Sequence, residues 1–465
     1  MTTTRVVAAM AASATLLTAG MSGATSAPVQ VNKRPNILII LADDMGYADA
    51  GFNGGRQIKT PNLDKLAKAG TVLSSFYVQP VCSPTRASLM TGRYVAHTGV
   101  YSVVRPRAQW GLPLSERTLA QALREAGYET AISGKWHLGM YQPDYLPTRR
   151  GFEHQYGMWF GNIDYFTHKR DGELDWHRDD KPCKDEGYST HLLAKEACRL
   201  IRERTVSKPF FLYLPFNAVH EPYQVPESYT VPYGALPAKR KTYAGMVAAM
   251  DEAIGQVVAT LEEQKMLDNT LIVFSSDNGG HNPGQIADNT PLRGGKGSTF
   301  EGGVRVCAFA SWPGHIPAGK VVDEPMHIID WYPTFLKLAG GSVEQKHPLD
   351  GKDIWPVLTQ GAKSPHEALL LSGTSFGDAA MRAGAWKLLR VQGNKPKEKR
   401  KAAPAKTEEY QLFNLKTDIG ESENLADKHP EKLAELKQTL EKLLKDAVPD
   451  RRWMRSPPAG APNVE

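Results

Sequence analysis

The stretch CSPTRASLMTGRY, Cys82 to Tyr94, sets a cysteine ahead of a proline, an arginine and a glycine-marked turn. A structural cysteine needs no such company, so either the thiol is an ordinary buried side chain or the stretch serves chemistry at that sulfur. Asp43, Asp44, Asp277 and Asn278 offer hard oxygen ligands, which suit calcium or magnesium and not zinc. An Asp-Asp pair after a strand is by itself a common turn or cap; the DNGG run at a second strand end shifts the balance toward a metal. His137 has Lys135 beside it and His220 has Glu221, neighbours suited to acid–base work, and Lys296 in PLRGGKGSTFEGGVR could bring an ammonium against an anion. A glycine-rich loop alone is a weak signal.

These residues need a scaffold that brings them together. The apolar runs NILIIL (Asn36 to Leu41), TAIS (Thr130 to Ser133), FFLYLPF (Phe210 to Phe216) and LIVFSS (Leu271 to Ser276) lack alternation and are separated by helix-like segments. They predict buried strands of a mostly parallel sheet. Each leads into candidate site residues: Asp43-Asp44, Lys135 and His137, His220, and Asp277-Asn278. Because the carboxyl ends of strands in open α/β sheets face one crevice, the groups should converge there.

The helical segments support this α/β pattern. SERTLAQALREAGY places Leu119, Ala122, Leu123 and Ala126 on one face, with Ser115 as cap and Gly127 as stop. YAGMVAAMDEAIGQVVATL does the same with Met246, Met250, Ile254, Val257 and Leu261. After about residue 365 the texture changes: AMRAGAWKLLRV and EEYQLFNL read as the two strands of a hairpin flanking a basic loop. HPEKLAELKQTLEKLLKDA then reads as a final helix, with Pro430 near its start and an apolar stripe of Leu433, Leu436, Leu440, Leu443 and Leu444.

A length of 465 residues suits one large domain with a smaller one. At the start, Arg5, an apolar run from Val6 to Leu17 and a small-residue tail form the pattern of a secretory signal. Cleavage after Ala24 is favoured, because a cut after Ala27 would leave Pro28 constraining the bond. The expected compartment is periplasmic or extracellular, and no other apolar stretch is expected to cross a bilayer. Cys82, Cys183, Cys198 and Cys307 are too few for a disulfide-built scaffold, so the fold must rest on a hydrophobic core. Cys183 and Cys198 are the only pair close in sequence once Cys82 is set aside, and Cys307 in apolar GVRVCAFASW reads as a small hydrophobe. The net charge is +6, yet KPKEKRKAAPAK (Lys395 to Lys406) holds six positive residues and one negative. With no aromatic residues interleaved, that loop reads as a solvated hairpin tip and not a nucleic-acid surface.

CSPTRASLMTGRY matches the C-x-P-x-R signature of the type I sulfatases together with their TGR continuation. The resemblance runs from NILIILADDMG to about residue 360, and more loosely beyond. GKWHLGMYQPDYLPTRRGF, VHEPYQVPESY, YAGMVAAMDEAIG and SDNGG bring it nearest to the arylsulfatase B, or N-acetylgalactosamine-4-sulfatase, branch. The resemblance implies an alkaline-phosphatase-like α/β sandwich, with a large, mostly parallel central sheet flanked by helices and a smaller C-terminal α+β subdomain with an antiparallel sheet. Expected boundaries are a signal over 1–24, a catalytic domain over 34–364, the subdomain over 365–452 and a disordered tail over 453–465.

The same resemblance implies that a maturation enzyme converts Cys82 to formylglycine. Asp43, Asp44, Asp277 and Asn278 would hold one calcium ion, with residue 82 beside them as a further ligand. Arg86, Lys135, His137, His220 and Lys296 would surround the sulfate, His220 protonating the departing sugar oxygen and His137 helping to take the proton from a second hydroxyl. The implied substrate is a sulfated carbohydrate, a 4-sulfated galactosamine or a sulfated galactan. The stretch Gly157 to Pro182, rich in Trp, Tyr, Phe, Arg and Asp, suits stacking on sugar faces; its plainer reading is a packed surface loop. The alternatives are a phosphomonoesterase or phosphodiesterase sharing the fold, and an inactive protein that binds sulfated glycans.

Overall fold

The computed structural model describes residues 1–2, 34–205, 207–392 and 408–453. The secretory signal, the basic loop and almost all of the tail lie outside the described residues.

The strand Asn36–Ala42 is buried along its whole length. Its period of two sends Leu38, Ile40 and Ala42 into one apolar cluster and Ile37, Ile39 and Leu41 into another. Such a strand belongs inside a sheet covered on both faces. Phe210–Pro215 and Thr270–Ser276 pair with it in parallel, with Leu41 opposite Pro215 and Ala42 opposite Ser276. Glu129–Ser133 and then His154–Gly157 extend the parallel centre. The register therefore releases the chain at Asp43, Gly134, Phe216 and Asp277 along one edge.

The whole sheet has ten strands and is mixed. Antiparallel pairs lie toward both edges, among them Ala308–Ser311 against Thr270–Ser276 and His177–Arg178 against His154–Gly157. Ser189–Glu203 and Ala238–Glu263 cover one face; Cys82–Thr91, Leu119–Glu125 and Trp331–Ala339 cover the other.

The cap of Leu119–Glu125 is Thr118 and not Ser115: the Thr118 hydroxyl accepts from Gln121 N at 3.1 Å while Gln121 Oε1 accepts from Thr118 N at 2.8 Å. This reciprocal pair satisfies two helix donors at once, which a serine three residues earlier cannot do. A second correction concerns Ala238–Glu263, which is long and apolar enough to cross a membrane. Met246, Met250, Ile254, Val257 and Leu261 are all buried in the apolar cluster, so it is a core helix.

Beyond Gln360 the chain adds an antiparallel sheet of four strands, Leu369–Ser372, Ala379–Ala383, Trp386–Gln392 and Glu408–Asn414. AMRAGAWKLLRV is thus two strands and not one, turned at Gly384, whose φ is +56°. The helix Pro430–Leu443 lays Leu436 and Leu440 against Met381, Leu388 and Leu412 of that sheet. All four cysteines are free thiols, Cys183 and Cys198 included, and Cys307 is buried in the core.

Candidate active site

The helix Cys82–Thr91 begins at the cysteine itself, and all ten of its residues are buried. A helix apolar and polar alike on every side is held by the protein interior and not by one amphipathic face. It ends at Gly92, where φ is +67° and a Cβ would lie 2.8 Å from Tyr332, so only glycine closes this turn. Its positive end and first peptide N–H groups lie at the thiol.

Around Cys82 the structure gathers the residues singled out in the sequence. Cys82 Sγ is 3.7 Å from Asp43 Oδ1, and Lys135 Nζ is 2.5 Å from Asp43 Oδ2. Arg86 donates through Nη2 to Asp277 Oδ2 at 2.7 Å and through Nη1 to the Lys135 carbonyl at 2.9 Å. Lys296 Nζ is 2.7 Å from Asp44 Oδ2, and His220 Nε2 lies 3.6 Å from the same oxygen. Asp43, Asp44, Cys82 and His220 each place a donor atom within 4.8 Å of the others. His220 therefore sits against the oxygen donors themselves, a proximity the strand-end pattern did not specify.

The electrostatics describe a site built for a cation and an anion together. Three buried carboxylates meet three basic side chains, so a bound divalent ion would leave a positive surplus for an anionic substrate. The Asp277 carboxyl is pushed up to about 6, first by burial and then by repulsion from Asp43, with Arg86 and Lys135 opposing. Burial also works against the Asp44 carboxylate, but Lys296 and His220 hold it below the usual range. Asn278 Oδ1 is buried and accepts no hydrogen bond, a cost of about 1–3 kcal/mol unless a ligand meets it. That orphan oxygen and the carboxylates of Asp43 and Asp44 are hard donors that suit calcium or magnesium, while Asp277 Oδ2 is held by Arg86.

Burial pushes the Cys82 thiol up to about 12, with Lys135 and Lys296 only partly offsetting it. The thiol is thus not a nucleophile as it stands. His137 Nε2 donates to the Val104 carbonyl at 3.1 Å, which leaves Nδ1 as the lone-pair nitrogen, buried and without a partner. Burial and then Lys135 and Arg86 hold this imidazole neutral. His220 Nδ1 donates to the Glu221 carbonyl at 2.6 Å, directing Nε2 to the Asp44 side. Burial lowers His220 to about 4, with Asp44 opposing and Lys296 adding to the effect. An anionic ester bound beside it would favour its protonated form.

Several positioning residues carried no sequence signal. Ser83 donates to the His137 carbonyl at 2.7 Å and accepts from Val104 N at 3.0 Å, tying helix, histidine and loop together. Gly161 faces the His137 ring, where a Cβ would lie 2.6 Å from Cε1. The Tyr165 hydroxyl lies 2.6 Å from the Asn217 carbonyl and 2.8 Å from that of His220. The aromatic stretch from Gly157 is accordingly a mixture: Tyr165 and Trp176 are buried supports, while Trp159 and Phe160 are half-buried and Phe166 is exposed.

A family model described as Sulfatase matches residues 35–342. The chain belongs to the sulfatase family. Arylsulfatase J of Mus musculus is 36% identical, across 91% of this chain and 78% of that protein. N-acetylgalactosamine-6-sulfatase of Homo sapiens is 35% identical, across 73% of this chain and 68% of that protein. The crystal structure of Ps i-CgsB in complex with k-i-k-neocarrahexaose superposes with a TM-score of 0.81 at 37% identity, covering 90% of this sulfatase and 94% of that chain. The alkaline-phosphatase-like architecture is therefore that of a sulfatase, and the enzyme is a sulfuric ester hydrolase. Of the two enzymatic alternatives, family membership selects sulfate over phosphate.

Proposed function

We propose that this sulfatase is exported and removes sulfate esters from a sulfated carbohydrate, using formylglycine formed from Cys82 and one calcium ion held by Asp43, Asp44, Asp277 and Asn278. The observation that carries the reading is an inert thiol at the focus of the site: its ordinary form is held protonated up to about 12. A different functional group at position 82, placed 3.7 Å from Asp43 Oδ1 at the start of a buried helix, would serve the chemistry better than this thiol. Hydrated formylglycine supplies a hydroxyl nucleophile and a second hydroxyl through which sulfate can be expelled. Calcium supplies charge neutralisation for the ester oxygens.

The chain's own residues do the rest. Lys135, Lys296 and the amino end of the Cys82–Thr91 helix offset the negative charge of the sulfuryl group. Arg86, bonded to Asp277 and the Lys135 carbonyl, fixes the carboxylate and backbone around residue 82. His220 Nε2 gives its proton to the departing alcohol oxygen. His137 Nδ1 accepts the proton whose removal releases sulfate. In sum, one ester bond and one water become an alcohol and sulfate.

A carbohydrate substrate is supported by the relatives: one is named for an N-acetylgalactosamine sulfate, and one was solved with a neocarrahexaose. On the stretch that braces both histidines, the half-buried Phe160 is an aromatic group suited to a sugar ring, while Trp159 stacks on His177 at 3.5 Å. Peptide mass spectrometry across residue 82, paired with turnover of sulfated oligosaccharides, tests the proposal. Formylglycine should be present in active protein, and full activity with an unmodified thiol would overturn it; formylglycine without turnover of any sulfate ester would favour the glycan-binding alternative.

A further inference from the structure

The loop that carries Lys296 is fastened on its inner side to both halves of the site. Lys296 N donates to the Gly280 carbonyl at 3.2 Å, and Gly297 N donates to that of Pro80, two residues before Cys82, at 2.8 Å. Gly279 N donates to the Gly303 carbonyl at 3.0 Å. The segment Arg293–Gly303 thus spans from the metal-side strand end to the start of the Cys82 helix.

Its outer side rests on a residue far along the chain. Glu421 is fully buried, with its backbone at φ +51° in the left-handed region, a conformation retained only where surrounding contacts demand it. Both of its acceptors are used on this loop. Its carbonyl accepts from Arg293 Nη1 at 2.6 Å, and its carboxylate accepts from Glu301 N at 2.6 Å. Lys387 Nζ lies between Glu301 at 2.8 Å and Glu421 at 2.9 Å, with all three side chains sealed from solvent. The two contacts of Glu421 bracket Lys296, one before it and one after it.

We infer that Glu421, contributed by the C-terminal part of the chain, is a positioning residue for Lys296 and hence for anion binding at the catalytic centre. This rests on the reading of Lys296 as a sulfate-facing cation. Glu421 touches no reacting atom; it fixes the two ends of a loop whose glycines give it no stiffness of its own. The C-terminal part of the chain is thereby tied to the loop that carries Lys296.

The test uses the matured, calcium-loaded full chain with inorganic sulfate as a competitive inhibitor. Arg293 is exposed, so Arg293→Met removes the carbonyl contact without opening the core. It should raise the sulfate inhibition constant and KM by about 10-fold with a smaller change in kcat, and Arg293→Lys, which keeps a donor, should recover most of the loss. On a Lys296→Ala background, Arg293→Met should add nothing further. Wild-type sulfate affinity in Arg293→Met, with Lys296→Ala impaired, would overturn the inference while leaving the role of Lys296 intact. Additive losses would overturn it as well, since Arg293 would then act on the substrate directly. Unchanged sulfate affinity in Lys296→Ala would overturn both.

Discussion

Asn278 donates its side-chain amide to Asp44 Oδ1 at 2.7 Å, and in doing so leaves its own carbonyl oxygen buried without a donor. The pair joins two strand ends that lie 234 residues apart, so neither residue alone explains the geometry.

Removing the metal should therefore abolish turnover while leaving the sheet folded, because the ligands lie beyond the strand ends and not between layers. Chelation followed by metal addition, read by activity and circular dichroism, checks this. Calcium or magnesium should restore activity; recovery with zinc alone would contradict the oxygen-donor reading.

His220→Ala should lose about 100-fold to 10,000-fold on sugar sulfates and far less on nitrophenyl sulfate, whose leaving group departs unaided. His137→Ala should impair both, since sulfate release follows loss of either alcohol. Equal losses on both substrates for His220→Ala, with chemistry limiting turnover, would place the acid elsewhere.

Gly161→Ala should lower kcat on aryl and sugar sulfates alike. The added Cβ would meet the His137 ring at 2.6 Å and displace the imidazole, and a displacement near 1 Å can cost about 100-fold. Urea unfolding should move little, because the three atoms nearest that Cβ all belong to the His137 ring. Unchanged kcat would mean that His137 is not held by this contact.

Lys387→Met should destabilise the protein by about 3–5 kcal/mol, because it removes the cation between Glu301 and Glu421 in the interior and leaves only Arg305, 3.4 Å from Glu301 Oε2, to offset them. The loss should ease at lower pH. Burial already raises the Glu421 carboxyl, so folding favours its protonated form, and stability in the variant should fall as pH rises through the carboxylate range. Denaturant midpoints measured across pH would detect this; a pH-independent loss would argue for packing alone.

What the sequence revealed and what it hid follow from the range of the interactions. NILIIL, TAIS, FFLYLPF and LIVFSS are legible because burial on both faces demands unbroken apolar runs, and the shared edge of a parallel sheet then brings Asp43, Lys135, His220 and Asp277 together. Ser115 and Thr118 are both good caps by residue type, and only the reciprocal bond with Gln121 chooses Thr118. Ser83, Val104, Tyr165 and Glu421 act largely through backbone atoms of distant residues, and such contacts impose no residue pattern along the chain. The paired strands at Ala379–Ala383 and Trp386–Gln392 are separable in principle, since Gly384 stands between them as a turn residue.

The all-round burial of the Cys82–Thr91 helix sets a deadline. Residue 82 is 1% exposed once the protein has folded, and the parts that cover it, Asp277, the Lys296 loop and the Glu421 brace, are the last of these segments to be synthesised. On the proposed conversion of Cys82, a modifying enzyme would need the sulfur before this covering closes. A molecule that folds first would then keep its thiol, and the share of converted chains in a preparation would record the contest between modification and closure.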